Sequence, residues 1–277
     1  MLFGRDGLVE GLAAGTLVVD CSTISPTRAV DFEARLAARD VSMIDAPVSG
    51  GTEGARLGTL TIMVGGEGPD VRRAMPVLSA MGTSVNHLGP IGSGQWAKAI
   101  NQVILAGTYL AVAEGVTLGL RAGLDVEKIV EVLSGGAAGS WVLANRSGRM
   151  IDDSYPLGFK ISLHRKDLAI ALDLAREVGA VLPVTAMAAT LEDGLIAQGY
   201  GDDDNSALAR QVRRLSGLQS VPTRSPSSGK LSQLGLVAPR TRLPPWPPRK
   251  SRMRHRRSSF WEGGAPNGPT AWCDPPG

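Results

Sequence analysis

The chain has 277 residues, of which 43% are hydrophobic and 20% are charged, an ordinary composition for a soluble globular protein. The net charge of +3 is unevenly divided. Residues 217–277 hold ten basic and two acidic residues, whereas residues 1–216 hold 19 basic and 24 acidic residues. The basic character therefore belongs to the end of the chain, and a nucleic-acid-binding function inferred from charge would rest on that end alone.

Only two cysteines occur, Cys21 and Cys273, and they lie far apart in the sequence. A disulfide framework is not expected, which favours a reducing compartment and predicts a cytoplasmic protein. The first residues lack the apolar core of a signal peptide. Residues 100–120 form the most apolar stretch, but polar side chains interrupt it. This pattern predicts a buried core helix rather than a membrane span.

Residues 1–91 alternate between strand and helix patterns. Short β-branched runs predict strands at 17–21, 41–46, 60–65 and 84–88, and helical spacing predicts helices at 27–39 and 69–81. Such alternation is typical of βαβ units with a largely parallel sheet. We therefore predict that residues 1–91 form part of a Rossmann-like, dinucleotide-binding α/β domain.

The pattern changes near Gly94. A helical stretch from about 95 to 122 contains no proline, and shorter helices are predicted at 125–133, 141–150, 163–177, 183–198 and 204–216. No strand is predicted after residue 90. Residues 92–217 are therefore expected to form an all-helical domain.

Residues 218–277 have a different composition. They contain eleven of the 18 prolines and three of the five tryptophans, together with a basic run at 249–257. Without apolar periodicity this segment is predicted to be a disordered, basic, proline-rich tail. A basic run of this kind is usually a solvated segment, and nucleic-acid binding through it remains the alternative interpretation.

Lys98 stands in the sequence GSGQWAKAINQ, where two glycines precede a long predicted helix. Helical spacing puts Asn101 and Gln102 on the same face as Lys98. A lysine near the positive end of a helix dipole has a pKa below its usual value if it is also desolvated, as a general acid or base requires. The alternative is a solvated lysine on an amphipathic helix.

The sequence DAPVSGG places Ser49, Gly50 and Gly51 directly after a predicted strand. A hydroxyl group and unobstructed backbone N–H groups in such a turn can hold a carboxylate. A tight turn with small residues for packing is the alternative.

Two further motifs follow the same logic. Thr23, in STISP, follows the first clear strand, and ligands of α/β sheets bind beyond the carboxyl ends of strands. Lys166 begins the amphipathic stretch KDLAIAL. A capping loop and an exposed lysine are the structural alternatives. The three histidines have no partner at metal-ligand spacing, so no metal site is predicted.

Together these motifs resemble the β-hydroxyacid dehydrogenase family, the 3-hydroxyisobutyrate dehydrogenase and tartronate semialdehyde reductase type, with 6-phosphogluconate dehydrogenase as a more distant member. The matching stretches are DCSTISP at 20–26, DAPVSGGTEGARLGTLTIMVGG at 45–66, GSGQWAKAINQ at 92–102 and KDLAIAL at 166–172. The resemblance covers about residues 1–217 and implies an NAD- or NADP-dependent oxidoreductase.

The resemblance also implies roles for particular residues. Lys98 matches the catalytic lysine and Asn101 its polar partner, which also contacts substrate. Gln102 occupies a neighbouring substrate site where many relatives have a second asparagine. Ser49, Gly50 and Gly51 match the loop that binds the substrate carboxylate, and Thr23 and Lys166 match positions that contact the nicotinamide half of the cofactor.

The implied reaction is the reversible oxidation of a short 3-hydroxy acid to its semialdehyde, in an oligomer formed through the helical domain. The sequence departs from the family in one respect: no GxGxxG motif precedes DCSTISP. An N-terminally truncated enzyme that binds cofactor poorly is therefore expected. The alternative is a truncated, non-catalytic oligomerisation fragment.

Overall fold

The structure, a computed structural model, describes residues 2–218. The disordered tail predicted at 218–277 lies outside the described residues except for Leu218. The described strands are β1 (Leu17–Asp20), β2 (Ser42–Asp45), β3 (Val48–Ser49), β4 (Leu60–Gly65) and β5 (Gly82–Gly89). Short 3-10 helices occur at Leu8–Gly11 and Asn205–Ala207. The described α-helices are α1 (Pro26–Ala37), α2 (Gly51–Leu57), α3 (Gly68–Met81), α4 (Ser93–Arg121), α5 (Val126–Ser134), α6 (Trp141–Asp152), α7 (Ile161–Val178), α8 (Pro183–Ala197) and α9 (Leu208–Leu215).

The sheet is mixed, whereas the sequence predicted a largely parallel one. β1 and β2 are parallel, as are β4 and β5, but β4 runs antiparallel to β2 and β3. The connection between β2 and β4 contains β3 and α2. β3 pairs antiparallel with β4, with Val48 opposite Ile62, so the chain reverses its direction within the sheet instead of crossing over it.

The α/β core lies between the sheet and its helices. Ile44, Ile62 and Val64 of the strands pack with Leu78 of α3, and all four side chains are buried. The alternation of strands and helices up to residue 89, followed by helices, confirms the predicted fold class: a partial Rossmann-like unit and then an all-helical part. Among the described residues after Gly89, the only β-type pairing is an isolated bridge between Lys160 and Asp204.

The 29-residue helix α4 organises the helical part. It is long and apolar enough to cross a membrane by length and composition. However, it contacts α6, α7, α8 and α9 as well as β4. Its inward face includes Tyr109, Ala113 and Val116, which pack with Met150 and Leu195 in the helical core. These contacts indicate the core helix of a soluble fold, as the sequence predicted.

Candidate active site

Lys98 lies in the second turn of α4, which begins after Gly92 with a φ of +90°. Only 7% of its surface is exposed, and its Nζ atom lies 5.9 Å from the ring centroid of Phe159. Burial lowers the pKa of Lys98 below its usual value. The negative charge of Asp167 partly opposes this shift, and the positive charge of Lys166 adds to it. Desolvation, rather than the helix dipole alone, is thus the largest cause of the lowered pKa of Lys98.

The polar residues that follow Lys98 on α4 form a chain of hydrogen bonds. The Nδ2 atom of Asn101 donates to the Oε1 atom of Gln102 at 2.7 Å, and the Nε2 atom of Gln102 donates to the Oδ2 atom of Asp167 at 2.7 Å. Gln102 and Asp167 are buried. Because the Gln102 amide and the Asp167 carboxylate each restrict the other's rotation, the network holds the negative charge of Asp167 close to Lys98.

The structure brings Thr23 and Lys166 together, although 143 positions separate them in the sequence. The Nζ atom of Lys166 donates to the backbone oxygen of Thr23 at 2.5 Å and lies 2.8 Å from the Oδ1 atom of Asp167. Lys166 is exposed and Thr23 is half-buried, just beyond the carboxyl end of β1. An ammonium group and a hydroxyl-bearing loop here are accessible polar groups where an α/β sheet binds its cofactor.

Gln95 holds the loop that carries Thr23 against α4. Its side-chain oxygen accepts a hydrogen bond from the backbone N–H of Ile24 at 3.1 Å, and its Nε2 atom donates to the backbone oxygen of Ser22 at 2.8 Å. Gln95 is almost fully buried. It therefore sets the position of Thr23 relative to the helix that carries Lys98.

Asp45 joins the carboxyl end of β2 to the start of α4. Its buried carboxylate accepts hydrogen bonds from the backbone N–H groups of Gly92 at 2.7 Å and Gln95 at 2.8 Å. Burial raises the pKa of Asp45, while these hydrogen bonds oppose the shift. A carboxylate at a helix N-terminus satisfies otherwise unpaired donors and interacts favourably with the helix dipole.

The predicted carboxylate-binding loop forms β3 and the start of α2. Ser49 is half-buried, and Gly50 and Gly51 are exposed. Their φ angles of +135° and +62° favour glycine, so this turn tolerates side chains poorly. A Cβ atom on Gly51 would lie 3.7 Å from the carbonyl oxygen of Gly158, the residue before Phe159. The loop and Lys98 therefore approach the same segment, Gly158–Phe159.

Four residues of this site carried no assigned role in the sequence: Asp45, Gln95, Phe159 and Asp167. Three of them stand inside the motifs DAPVSGG, GSGQWAKAINQ and KDLAIAL. The sequence did not show that these three polar side chains are buried. Burial would have indicated a structural role, because a buried charged or amide side chain normally has hydrogen-bond partners. Phe159 lies outside every quoted motif, and only the tertiary structure places its ring beside Lys98.

Two family models match the chain. Residues 1–89 match the model described as the NAD binding domain of 6-phosphogluconate dehydrogenase, and residues 92–212 match the model described as NAD-binding of NADP-dependent 3-hydroxyisobutyrate dehydrogenase. The chain is 38% identical to the NAD-dependent L-serine dehydrogenase of Pseudomonas aeruginosa, covering 74% of this chain and 71% of that protein. It is also 38% identical to the 2-hydroxy-3-oxopropionate reductase of Escherichia coli, covering 76% and 73%.

The chain belongs to the β-hydroxyacid dehydrogenase family. A solved structure of 3-hydroxyisobutyrate dehydrogenase from Mycobacterium tuberculosis with L-serine supports this, with a TM-score of 0.68 and 33% identity over 75% of this chain and 73% of that one. The predicted family is therefore confirmed, and with it the enzyme class: an NAD- or NADP-dependent oxidoreductase of hydroxy acids. In this β-hydroxyacid dehydrogenase, the two family-model matches meet at residues 89–92, between β5 and α4.

Proposed function

We propose that the chain catalyses the reversible oxidation of a short 3-hydroxy acid to its semialdehyde, with Lys98 as the general acid and base. The burial of Lys98 carries this proposal, because desolvation lowers its pKa. A lysine with a lowered pKa exchanges a proton at a pH where an ordinary lysine stays charged. Neutral Lys98 accepts the hydroxyl proton during oxidation, and its ammonium form returns a proton during reduction.

The substrate contacts follow from the loop and the polar network. The Ser49 hydroxyl and the backbone N–H groups of Gly50 and Gly51 bind the carboxylate. The two glycines adopt positive φ angles and have no Cβ atom, so no side chain obstructs these N–H groups. Asn101 contacts the substrate from the Lys98 side. Gln102, predicted to bind substrate, is fully buried, and it supports the substrate site by accepting a hydrogen bond from Asn101 and donating one to Asp167. Two relatives, an L-serine dehydrogenase and a 2-hydroxy-3-oxopropionate reductase, are named for short acids, which supports a short acid as the substrate of this chain.

Thr23 and Lys166 would hold the nicotinamide half of the cofactor. Their mutual hydrogen bond beyond β1 and the exposure of Lys166 fit that role, because the groups are both preorganised and accessible. Bound NAD or NADP accepts or supplies the hydride. The chain's own contribution is to orient the substrate carboxylate and to move the proton at the Nζ atom of Lys98.

The oligomer expected from the family resemblance would form through an apolar surface of the helical part. We define the α4 face by its exposed apolar side chains: Ile104 of α4, Leu133 of α5, Val184 of α8 and Val181, which lies just before α8. A groove of about 720 Å³ lies along it. Exposed apolar side chains that line one continuous groove are typical of an interface. A second copy of the chain is the occupant that we propose.

The activity is tested with purified chain, a panel of short 3-hydroxy acids and tartronate semialdehyde, and both cofactors. We expect Lys98→Ala to lower kcat by about 10²–10⁴-fold while the circular dichroism spectrum stays unchanged. Lys128→Ala, at an exposed lysine of α5, is the matched control and should retain full activity. Full activity of the Lys98 variant would contradict the assignment.

The fragment hypothesis differs from the enzyme hypothesis in cofactor binding. Titration with NADH and NADPH, followed by nicotinamide fluorescence, separates them. Saturable binding of either cofactor supports the enzyme. If neither cofactor binds saturably, the result supports a non-catalytic oligomerisation fragment.

A further inference from the structure

Two arginines of α6 face the helix that follows the predicted carboxylate-binding loop. The Nη2 atom of Arg146 lies 3.6 Å from the Oε2 atom of Glu53, and the Nη2 atom of Arg149 lies 3.7 Å from its Oε1 atom. Glu53 lies in the first turn of α2, three residues after Gly50. One carboxylate of the α/β part therefore contacts two guanidinium groups of the helical part.

The same two arginines contact Asp204, which is fully buried. Its carboxylate oxygens lie 3.6 Å from the Nε atom of Arg146 and 3.3 Å from the Nη1 atom of Arg149. Asp204 also accepts hydrogen bonds from the backbone N–H groups of Gly158 at 3.1 Å and Phe159 at 3.0 Å. The cluster thus extends from α2 to the segment whose aromatic ring lies beside Lys98.

We propose that Glu53 is a positioning residue: through Arg146 and Arg149 it holds the Ser49–Gly51 loop at a set distance from Gly158–Phe159, and hence from Lys98. The proposal deepens the proposed function and rests on it where it concerns catalysis. Glu53 itself does not touch the reacting groups. Instead, Glu53 sets the distance between the substrate's carboxylate and the Nζ atom of Lys98.

The burial and the charges of the cluster support this role. The Arg146 side chain is 7% exposed, and its guanidinium group stacks over the Trp141 ring at 4.4 Å. These contacts hold the guanidinium group in place independently of Glu53. Glu53 is half-exposed and balances the second positive charge of the cluster, since Asp204 balances only one. The pairing of Ser49 with Thr61 fixes the loop on the side of β4, and the ion pairs of Glu53 are its link to α6.

The first test measures local opening and does not depend on activity. In Glu53→Gln, amide hydrogen exchange in peptides covering residues 50–59 should rise by about two- to fivefold, the range typical of an exposed ion pair. Exchange in the β4 and α4 peptides should stay unchanged. Asp31→Asn removes a comparable surface ion pair with Arg35 and is the matched control. Unchanged exchange at 50–59 in Glu53→Gln would overturn the proposal.

The second test is kinetic and uses the same variants with the best substrate. Glu53→Gln should raise KM for the hydroxy acid about two- to fivefold and also lower kcat, because the loop sets the distance over which the proton moves. The pH dependence that Lys98 governs should stay unchanged. In Arg149→Gln, adding Glu53→Gln should raise KM by less than it does alone, because the pair is already broken. A fall in KM for dicarboxylic substrates in Glu53→Gln would overturn the proposal, since the arginines would then bind substrate. If no acid is turned over, the dehydrogenase proposal fails while the exchange result still decides the role of Glu53.

Discussion

The charge state of Lys98 depends on its burial and on two charged neighbours, Lys166 and Asp167, that lie far from it in the sequence. Burial disfavours the ammonium form, Lys166 disfavours it further, and Asp167 favours it. Asp167 is itself held by the hydrogen bond from Gln102. The proton-accepting ability of Lys98 is therefore a balance, and removing one charge should shift it in a defined direction.

Asp167→Asn should shift the pH dependence of activity to lower pH. Asp167 raises the pKa of Lys98, so its neutralisation lowers that pKa further. Oxidation needs neutral Lys98, and its kcat/KM should rise with pH along a limb displaced to lower pH. Reduction needs the ammonium form, and its kcat/KM should begin to fall at lower pH.

The measurement is kcat/KM against pH in both directions. Asp193→Asn is the control, because Asp193 forms an exposed ion pair with Arg165 on the same helix pair, α7 and α8. This control should leave the profile unchanged. A displacement to higher pH in Asp167→Asn would contradict the role given to Asp167.

The elements that meet at the site are joined by Asp45, Gly65 and Gly94. A Cβ atom on Gly94 would lie 2.3 Å from the backbone oxygen of Met63 and 2.8 Å from the Oδ2 atom of Asp45. A Cβ atom on Gly65 would lie 2.4 Å from the Oδ1 atom of Asp45. The two glycines let β4 and α4 approach the carboxylate, so their role is close packing rather than backbone flexibility.

Gly94→Ala should therefore destabilise the fold by about 1–3 kcal/mol, the usual cost of overpacking. The backbone oxygen of Met63 belongs to a central strand and cannot move aside easily. Gly148→Ala is the matched control, because Gly148 is helical and exposed, with nothing within 4 Å of the added methyl group. That variant should gain about 0.5–1 kcal/mol. Both values come from urea unfolding, and equal effects in the two variants would refute the packing role of Gly94.

At the scale of elements, most of the secondary structure followed from the sequence. The strand at 60–65 and the helices beginning near 68, 141 and 183 agree with the predicted segments because apolar periodicity and local start signals specify them. The two-residue β3 and the glycine-rich α2 were missed. β3 exists only through its pairing with β4, and α2 is held by contacts with β4 and α6.

At the scale of the whole molecule, the exposed apolar α4 face predicts that the chain forms an oligomer through it. Ile104→Glu places a charge among apolar side chains and should dissociate a dimer that buries this face. Light scattering after size-exclusion chromatography should then report the monomer mass, whereas the unsubstituted chain should give at least twice that mass.

Val77→Glu is the control for this prediction. Val77 of α3 is 60% exposed, much as Ile104 is at 62%, and it lies outside the α4 face. It should leave the mass of the assembly unchanged. A monomeric unsubstituted chain would contradict the proposed interface.

The sequence by itself determined the family, the succession of an α/β part and a helical part, and the motifs that carry the site residues. These features are local: each depends on side-chain type and spacing along one segment. Only the tertiary structure decided that β4 runs antiparallel to β2, that Lys98 is buried beside Phe159, and that Lys166 meets Thr23. Burial and long-range contacts depend on how segments pack. The pKa of Lys98, on which the proposed chemistry rests, depends on that packing rather than on its own motif.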